Sequence, residues 1–210
     1  MANAAVLLEA RDLSATRGNV ELFKGLSFAV TAGELLIVRG PNGSGKTTLL
    51  RLLCGLGEPA SGQILWRGEA VGPFDPALRQ SVIYFGHAAA LKDELSALEN
   101  LAFGLALAGL PAELGLVEDT LRQVGLFSRR NLQARRLSQG QRRRLGLARL
   151  MIAQQPLWLL DEPGAALDTQ GLALLATTVA GHLERGGAAL VSTHQDLGIP
   201  AARARELVFQ

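Results

Sequence analysis

The chain is poor in the residues that would place it in several large protein classes. A single cysteine, Cys54, excludes an internal disulfide framework. Its place in the apolar stretch Leu49 to Leu56 points to packing rather than reactivity. Two tryptophans and one tyrosine leave little material for a base-stacking platform, so nucleic acid is not expected as a partner. The longest uncharged apolar candidate, Leu101 to Ala112, falls short of the ~20 residues that cross a bilayer. Met1 to Arg11 lack the basic region and apolar run of a secretion signal, so a cytosolic protein is expected. Repeats of solenoid period and low-complexity segments are also missing.

What remains is ordinary globular material. Of 210 residues, 48% are hydrophobic, enough for a sizeable core in one generous domain or two lobes. The net charge of +2 is mild, but arginines cluster at Arg129-Arg130, Arg135-Arg136 and Arg142 to Arg144. Such runs usually form solvated faces; contact with phosphates or a partner subunit is the other reading.

The pattern of residues predicts an α/β fold. Val6 to Ser14 and Leu26 to Val30 read as strands around a turn at Arg17 to Asn19. Glu34 to Arg39 is a near-continuous apolar run, as in a buried central strand, and Gly45 to Gly57 reads as a helix. Strands are expected at Ile64 to Arg67 and Ser81 to Gly86. From Ala88 to Leu137 the patterning turns helical, with a capping box at Ser96 to Glu99 and breaks at Gly109, Pro111 and Gly125. A helix from Ser138, a strand at Leu157 to Leu160, a helix from Thr169 and a strand at Ala188 to Thr193 follow, with a last strand at Leu207 to Phe209. This alternation implies a mostly parallel sheet covered by helices, formed by residues 1–87 and 138–210, with 88–137 as an inserted helical subdomain.

Gly40-Pro41-Asn42-Gly43-Ser44-Gly45-Lys46-Thr47 matches the G-x-x-x-x-G-K-[ST] pattern between strand and helix. Glycines let successive N–H groups converge on phosphate oxygens, and the following helix adds its positive N-terminus. Lys46 brings a full charge to the β- and γ-phosphates, and Thr47 a hydroxyl to Mg²⁺. ATP and Mg²⁺ are thus the expected ligands. Asp161 and Glu162 end the apolar run Leu157 to Leu160, where ligands of parallel sheets bind. Solvated loop acids are the plain alternative, but beside the cradle Asp161 is expected to hold Mg²⁺, directly or through water, and Glu162 to polarise the attacking water. Ser138 and Gln141 fit a capping box, and Gly140 in the first turn costs ~1 kcal/mol relative to alanine. A helix start of this kind is a fitting γ-phosphate receptor.

Taken in order, Gly40 to Thr48, Leu137 to Gln141, Leu160 to Pro163, Ala166 to Asp168 and Ser192 to His194 resemble the ABC ATPases over essentially the whole chain. The resemblance implies a P-loop core with an N-terminal antiparallel β region, and a head-to-tail dimer in which ATP is sandwiched between the cradle of one copy and the Ser138 helix of the other. It places Asp168 at the dimer seam and His194 against the γ-phosphate. Two positions depart from the family pattern. Arg17 stands where an aromatic usually stacks on adenine; a guanidinium can stack too, and a plain surface residue is the equal alternative. His87 stands where most relatives carry a glutamine that reaches the Mg²⁺-bound water. An imidazole changes charge near neutral pH, so coupling through it is expected to vary with pH.

Together with Gly25 to Phe28, Ala32 to Glu34, Leu95 to Leu101 and Thr193 to Gln195, these departures resemble one branch, the CcmA ATPases of bacterial cytochrome c maturation. That likeness implies a peripheral protein on the cytoplasmic face of the inner membrane, serving haem export or a haem-chaperone step. Its implied partners are a multi-span membrane subunit of CcmB type with CcmC-like and CcmD-like proteins. An ATPase for another cargo, a soluble non-transport ABC protein and a regulatory module without turnover are the competing readings.

Overall fold

The computed structural model describes residues 5–209, which divide into two compact units. The first holds the residues up to Tyr84, Gln155–Glu162 and those from Val179 on. It opens with a long hairpin, β1 (Val6–Arg17) and β2 (Val20–Thr31), turning at Gly18 with Arg17 opposite Val20. β4 (Ser61–Trp66) pairs antiparallel with β1, and β5 (Glu69–Val71) with β4, giving the sheet order β2-β1-β4-β5.

The second sheet runs β6-β7-β8-β3-β9, built from β3 (Leu35–Arg39), β6 (Val82–Phe85), β7 (Leu157–Asp161), β8 (Ala188–Ser192) and β9 (Ala204–Val208). β3 pairs parallel with β8 and β9, and β7 with β8. Every residue of β7 and β8 is buried, which explains their continuous apolar runs. The last strand ends at Val208, earlier than its expected place, because its register against β3 begins at Ala204.

Helix α1 (Lys46–Leu53) follows the cradle and packs on β7 and β8. It stops well before Gly57. Gly55 turns to φ 72°, its N–H bonds Leu52 O, and the Leu56 N–H bonds Arg51 O, so the paired bonds of a Schellman end close the helix. Cys54 is buried just beyond, and burial pushes its thiol up to about 11, an unreactive state. A short helix that the residue pattern did not announce, α2 (Pro76–Ser81), leads into β6 and takes only Ser81 from the expected strand. Its Asp75 side chain caps the N–H groups of Ala77 and Leu78, with Pro76 at the first position.

The second unit holds Phe85–Gln154 and Pro163–Thr178. Its helices α3 (Ala97–Leu107), α4 (Leu114–Gln123) and α5 (Gln139–Met151) share a core that includes Leu101, Leu105, Leu121 and Leu145. Capping boxes start α3 at Ser96 and α5 at Ser138. Helix α6 (Thr169–Glu184) passes from this unit into the first. No helix among the described residues is long and apolar enough to cross a membrane.

One buried histidine makes the first unit sensitive to acid. His182 stacks on Trp158 with ring centroids 3.8 Å apart, and its Nε2 faces the Ala188 carbonyl at 3.1 Å. Burial holds its imidazole down to about 4, from an ordinary value of 6.5. The folded chain therefore keeps His182 neutral, whereas the unfolded chain takes up a proton below 6.5. Stability is fully present above that point and is lost as pH falls toward 4, by at most about 3 kcal/mol. Urea unfolding between pH 7.5 and 4.5 is expected to show this slope, and His182→Phe to flatten it.

Candidate active site

The cradle is wound from left-handed and extended glycines, Gly40 at φ 150°, Gly43 at 86° and Gly45 at 101°. Only glycine adopts these angles without strain. Pro41, Asn42 and Gly43 are exposed, whereas Gly45 and Lys46 are buried. Lys46 Nζ curls under the loop and donates to the carbonyls of Gly40 (2.8 Å) and Pro41 (2.9 Å). Thr47 and Thr48 follow in the first turn of α1, half-buried.

Asp161 ends the buried strand β7 and is held at both oxygens. Thr47 donates its hydroxyl to Oδ2 at 2.8 Å, and Ser192, at the end of β8, donates to Oδ1 at 2.6 Å. Ser44 Oγ is buried with no hydrogen-bond partner among the described residues. The Asp161 carboxylate and the neighbouring Thr47 hydroxyl are hard oxygen donors. This suits Mg²⁺, which takes one or two carboxylates and completes its shell with phosphate and water. The residues present therefore fit the ion that the cradle implies.

Glu162 sits next in the chain at φ 46°, a left-handed conformation that costs a non-glycine residue of order 1–3 kcal/mol. Ser192 holds it there, since the Glu162 N–H is shared between Ser192 O (3.0 Å) and Ser192 Oγ (3.1 Å). Departure from the strand gives the two adjacent acids different partners. The carboxylate of Glu162 lies 3.6 Å from Nε2 of His194, which is exposed just after β8. Ser192 thus serves both acids at once. Spacing alone did not single it out, because its partners lie some thirty residues away in sequence.

In the second unit, Ser138 Oγ accepts from the Gln141 N–H (3.3 Å), and the Gln141 side chain accepts from the Ser138 N–H (3.0 Å). Gly140 has a further reason to be glycine. A Cβ there would lie 3.0 Å from the Ala166 carbonyl, and Ala166 itself is left-handed at φ 62°. The Ala166 to Asp168 turn is thereby seated on the start of α5. Asp168 is exposed, caps α6 through the Gly171 N–H, and pairs with Arg144. That guanidinium, and then the Gly171 amide, hold its carboxyl below the usual carboxylate range.

Arg143 corrects the solvated-face reading of its run. It is only 4% exposed, stacks on Phe85, and donates to the carbonyls of Pro163, Gly86 and His87. Its place on the apolar face with Leu147 and Leu150, at helical spacing, was the available signal. His87 is exposed beyond β6, and Arg17 is exposed at the end of β1.

Comparison with known proteins bears on the whole chain. Residues 23–165 match the protein family described as ABC transporter. The chain is 46% identical to the cytochrome c biogenesis ATP-binding export protein CcmA of Nitrosomonas europaea, covering 97% of this chain and 95% of that one. The chain belongs to the CcmA group of ABC transporter ATP-binding proteins. CcmA of Dechloromonas aromatica is likewise 46% identical, over 96% of this chain and 98% of its own. In fold the chain superimposes with a TM-score of 0.82 on a dimeric ATP-binding cassette in a post-hydrolysis state, bound to ADP and Pi. That match has 23% identity and covers 97% and 94% of the two chains. The expected P-loop architecture, an antiparallel N-terminal sheet beside a helix-covered parallel sheet, is the one observed. The chain is thus a CcmA-type ABC transporter ATPase with an ATP-binding ABC domain.

Proposed function

We propose that this chain is the ATP-hydrolysing subunit of a bacterial export system for cytochrome c biogenesis, working as a head-to-tail pair on a membrane subunit. The observation that carries this reading is the Thr47–Asp161–Ser192–Glu162 network beside Lys46, in a chain alike to CcmA proteins over nearly its full length. In this reading the cradle and Lys46 hold the phosphates, and Thr47 and Asp161 hold Mg²⁺, which supplies charge neutralisation at the phosphates when bound. Glu162 orients and deprotonates the attacking water for in-line displacement, and His194 contacts the γ-phosphate.

Ser138, Gly140 and Gln141 of a second copy close over the same nucleotide, with Asp168 at the seam. Arg17 lies where adenine would stack, and His87 relays the state of the site toward the membrane partner. A CcmB-type subunit, with CcmC-like and CcmD-like proteins, receives the stroke at the cytoplasmic face of the inner membrane. Haem, or a haem chaperone awaiting release, is the cargo.

The test is complementation. In a strain lacking its own CcmA, the wild-type chain is expected to restore haem attachment to c-type cytochromes and to co-purify with the small multi-span membrane subunit. Restored ATPase activity in the membrane without haem attachment would assign the chain to another cargo.

A further inference from the structure

We propose that Phe23 and Phe209 are positioning residues for the phosphate cradle, forming one aromatic brace that touches both ends of the loop. A glycine-rich loop is costly to hold in a single shape, because each glycine surrenders more conformational freedom than any other residue. Something must fix the ends if the N–H groups are to converge before nucleotide arrives.

At the first end, a methyl on Gly40 would lie 2.7 Å from Phe209 Cβ and 3.1 Å from Phe209 O. The chain just beyond β9 is therefore seated directly on Gly40, and the Phe209 N–H fastens it by donating to Arg39 O at 2.8 Å. At the other end, a methyl on Gly45 would lie 3.1 Å and 3.4 Å from Cδ1 and Cε1 of Phe23. The two rings meet edge to face, with centroids 5.4 Å apart and planes at 88°, the favoured geometry of an aromatic pair. Phe209 is 7% exposed, and Phe23 packs on the same core. One ring pair thus links Gly40, where the loop leaves β3, to Gly45, where it enters α1. Removing either ring breaks this link, although the Cβ and carbonyl of Phe209 remain seated on Gly40.

The inference rests on the cradle's binding of nucleotide, and Mg·ADP, which needs no second copy, is the probe. Calorimetric titration of the full chain is expected to show Phe209→Ala weakening Mg·ADP by about tenfold. The KM for ATP rises by a similar factor while kcat changes by less than about twofold. Phe23→Ala acts alike, and the double variant is little worse than either single one, as expected of two halves of one contact. Phe209→Leu, which refills the space without the ring edge, recovers part of the affinity.

Leu13→Ala, a fully buried truncation in the same unit, serves as control. It is expected to lower the melting temperature and leave Mg·ADP affinity unchanged. The brace is refuted if Phe209→Ala and Phe23→Ala bind as the wild type does, or if Leu13→Ala costs as much affinity. If Phe209→Ala does not fold, Phe209→Leu and Phe23→Leu decide the matter, and wild-type affinity in both refutes it. A wild-type chain that fails to bind Mg·ADP removes the nucleotide reading itself, and the brace with it.

Discussion

Replacing Glu162 by glutamine is expected to leave ATP bound and to cut turnover by about a thousandfold, the range of a lost general base. The substitution keeps the shape of the side chain, and what places it is not the side chain. The Glu162 N–H is pinned by the carbonyl and hydroxyl of Ser192, in a left-handed conformation that glutamine adopts at the same cost. The cradle, Lys46 and the Thr47–Asp161 contact are untouched. What is lost is the charge of the side chain, and with it the ion-pair contact to His194 and the proposed ability to take a proton from water. Phosphate release and nucleotide retention, measured on one preparation, separate the two effects. Normal hydrolysis by Glu162→Gln would remove this residue from the base role.

A second large effect is expected at the far end of the proposed sandwich. Gly140→Asp is predicted to reduce ATP turnover by about a hundredfold or more while Mg·ADP binding to the cradle stays within about twofold of wild type. Two physical costs add at this position. The new Cβ would lie 3.0 Å from the Ala166 carbonyl, and the carboxylate brings negative charge to a helix start that is proposed to receive a γ-phosphate. Nothing in the cradle's own construction depends on this residue, so the split between turnover and ADP binding is the diagnostic. Wild-type turnover in Gly140→Asp would show that the start of α5 has no part in hydrolysis.

The parts of the fold that were readable beforehand are those whose signals are local. The cradle announced itself because glycines, lysine and threonine at fixed spacing follow an apolar run, and β3 and the start of α1 lie where that run and spacing put them. The starts of α3 and α5 were readable for the same reason, since a capping box spans only four residues. The gap between α3 and α4 falls at Gly109 and Pro111, again a local instruction.

Residues that were named without their structural role, and elements that were missed, depend on partners distant in the chain or on runs too short to read. Ser192 reaches Asp161 and Glu162 only once β7 and β8 lie side by side, and Arg143 becomes a core residue only when Phe85, Gly86 and Pro163 close around it. The strand β5 has three residues and α2 six, too short for periodicity to speak, though Asp75-Pro76 carried a cap signal that was passed over. The end of α1 was placed too late because the Gly55 stop was read as part of the helix.

The burial of Arg143 also has a mechanical meaning. One rigid guanidinium grips the peptide groups at Gly86, His87 and Pro163, while the next residue, Arg144, grips Asp168. Helix α5 therefore works like a handle with three straps. Displacement of residues 86–87 is expected to be shared by the helix and by the turn at 163–168.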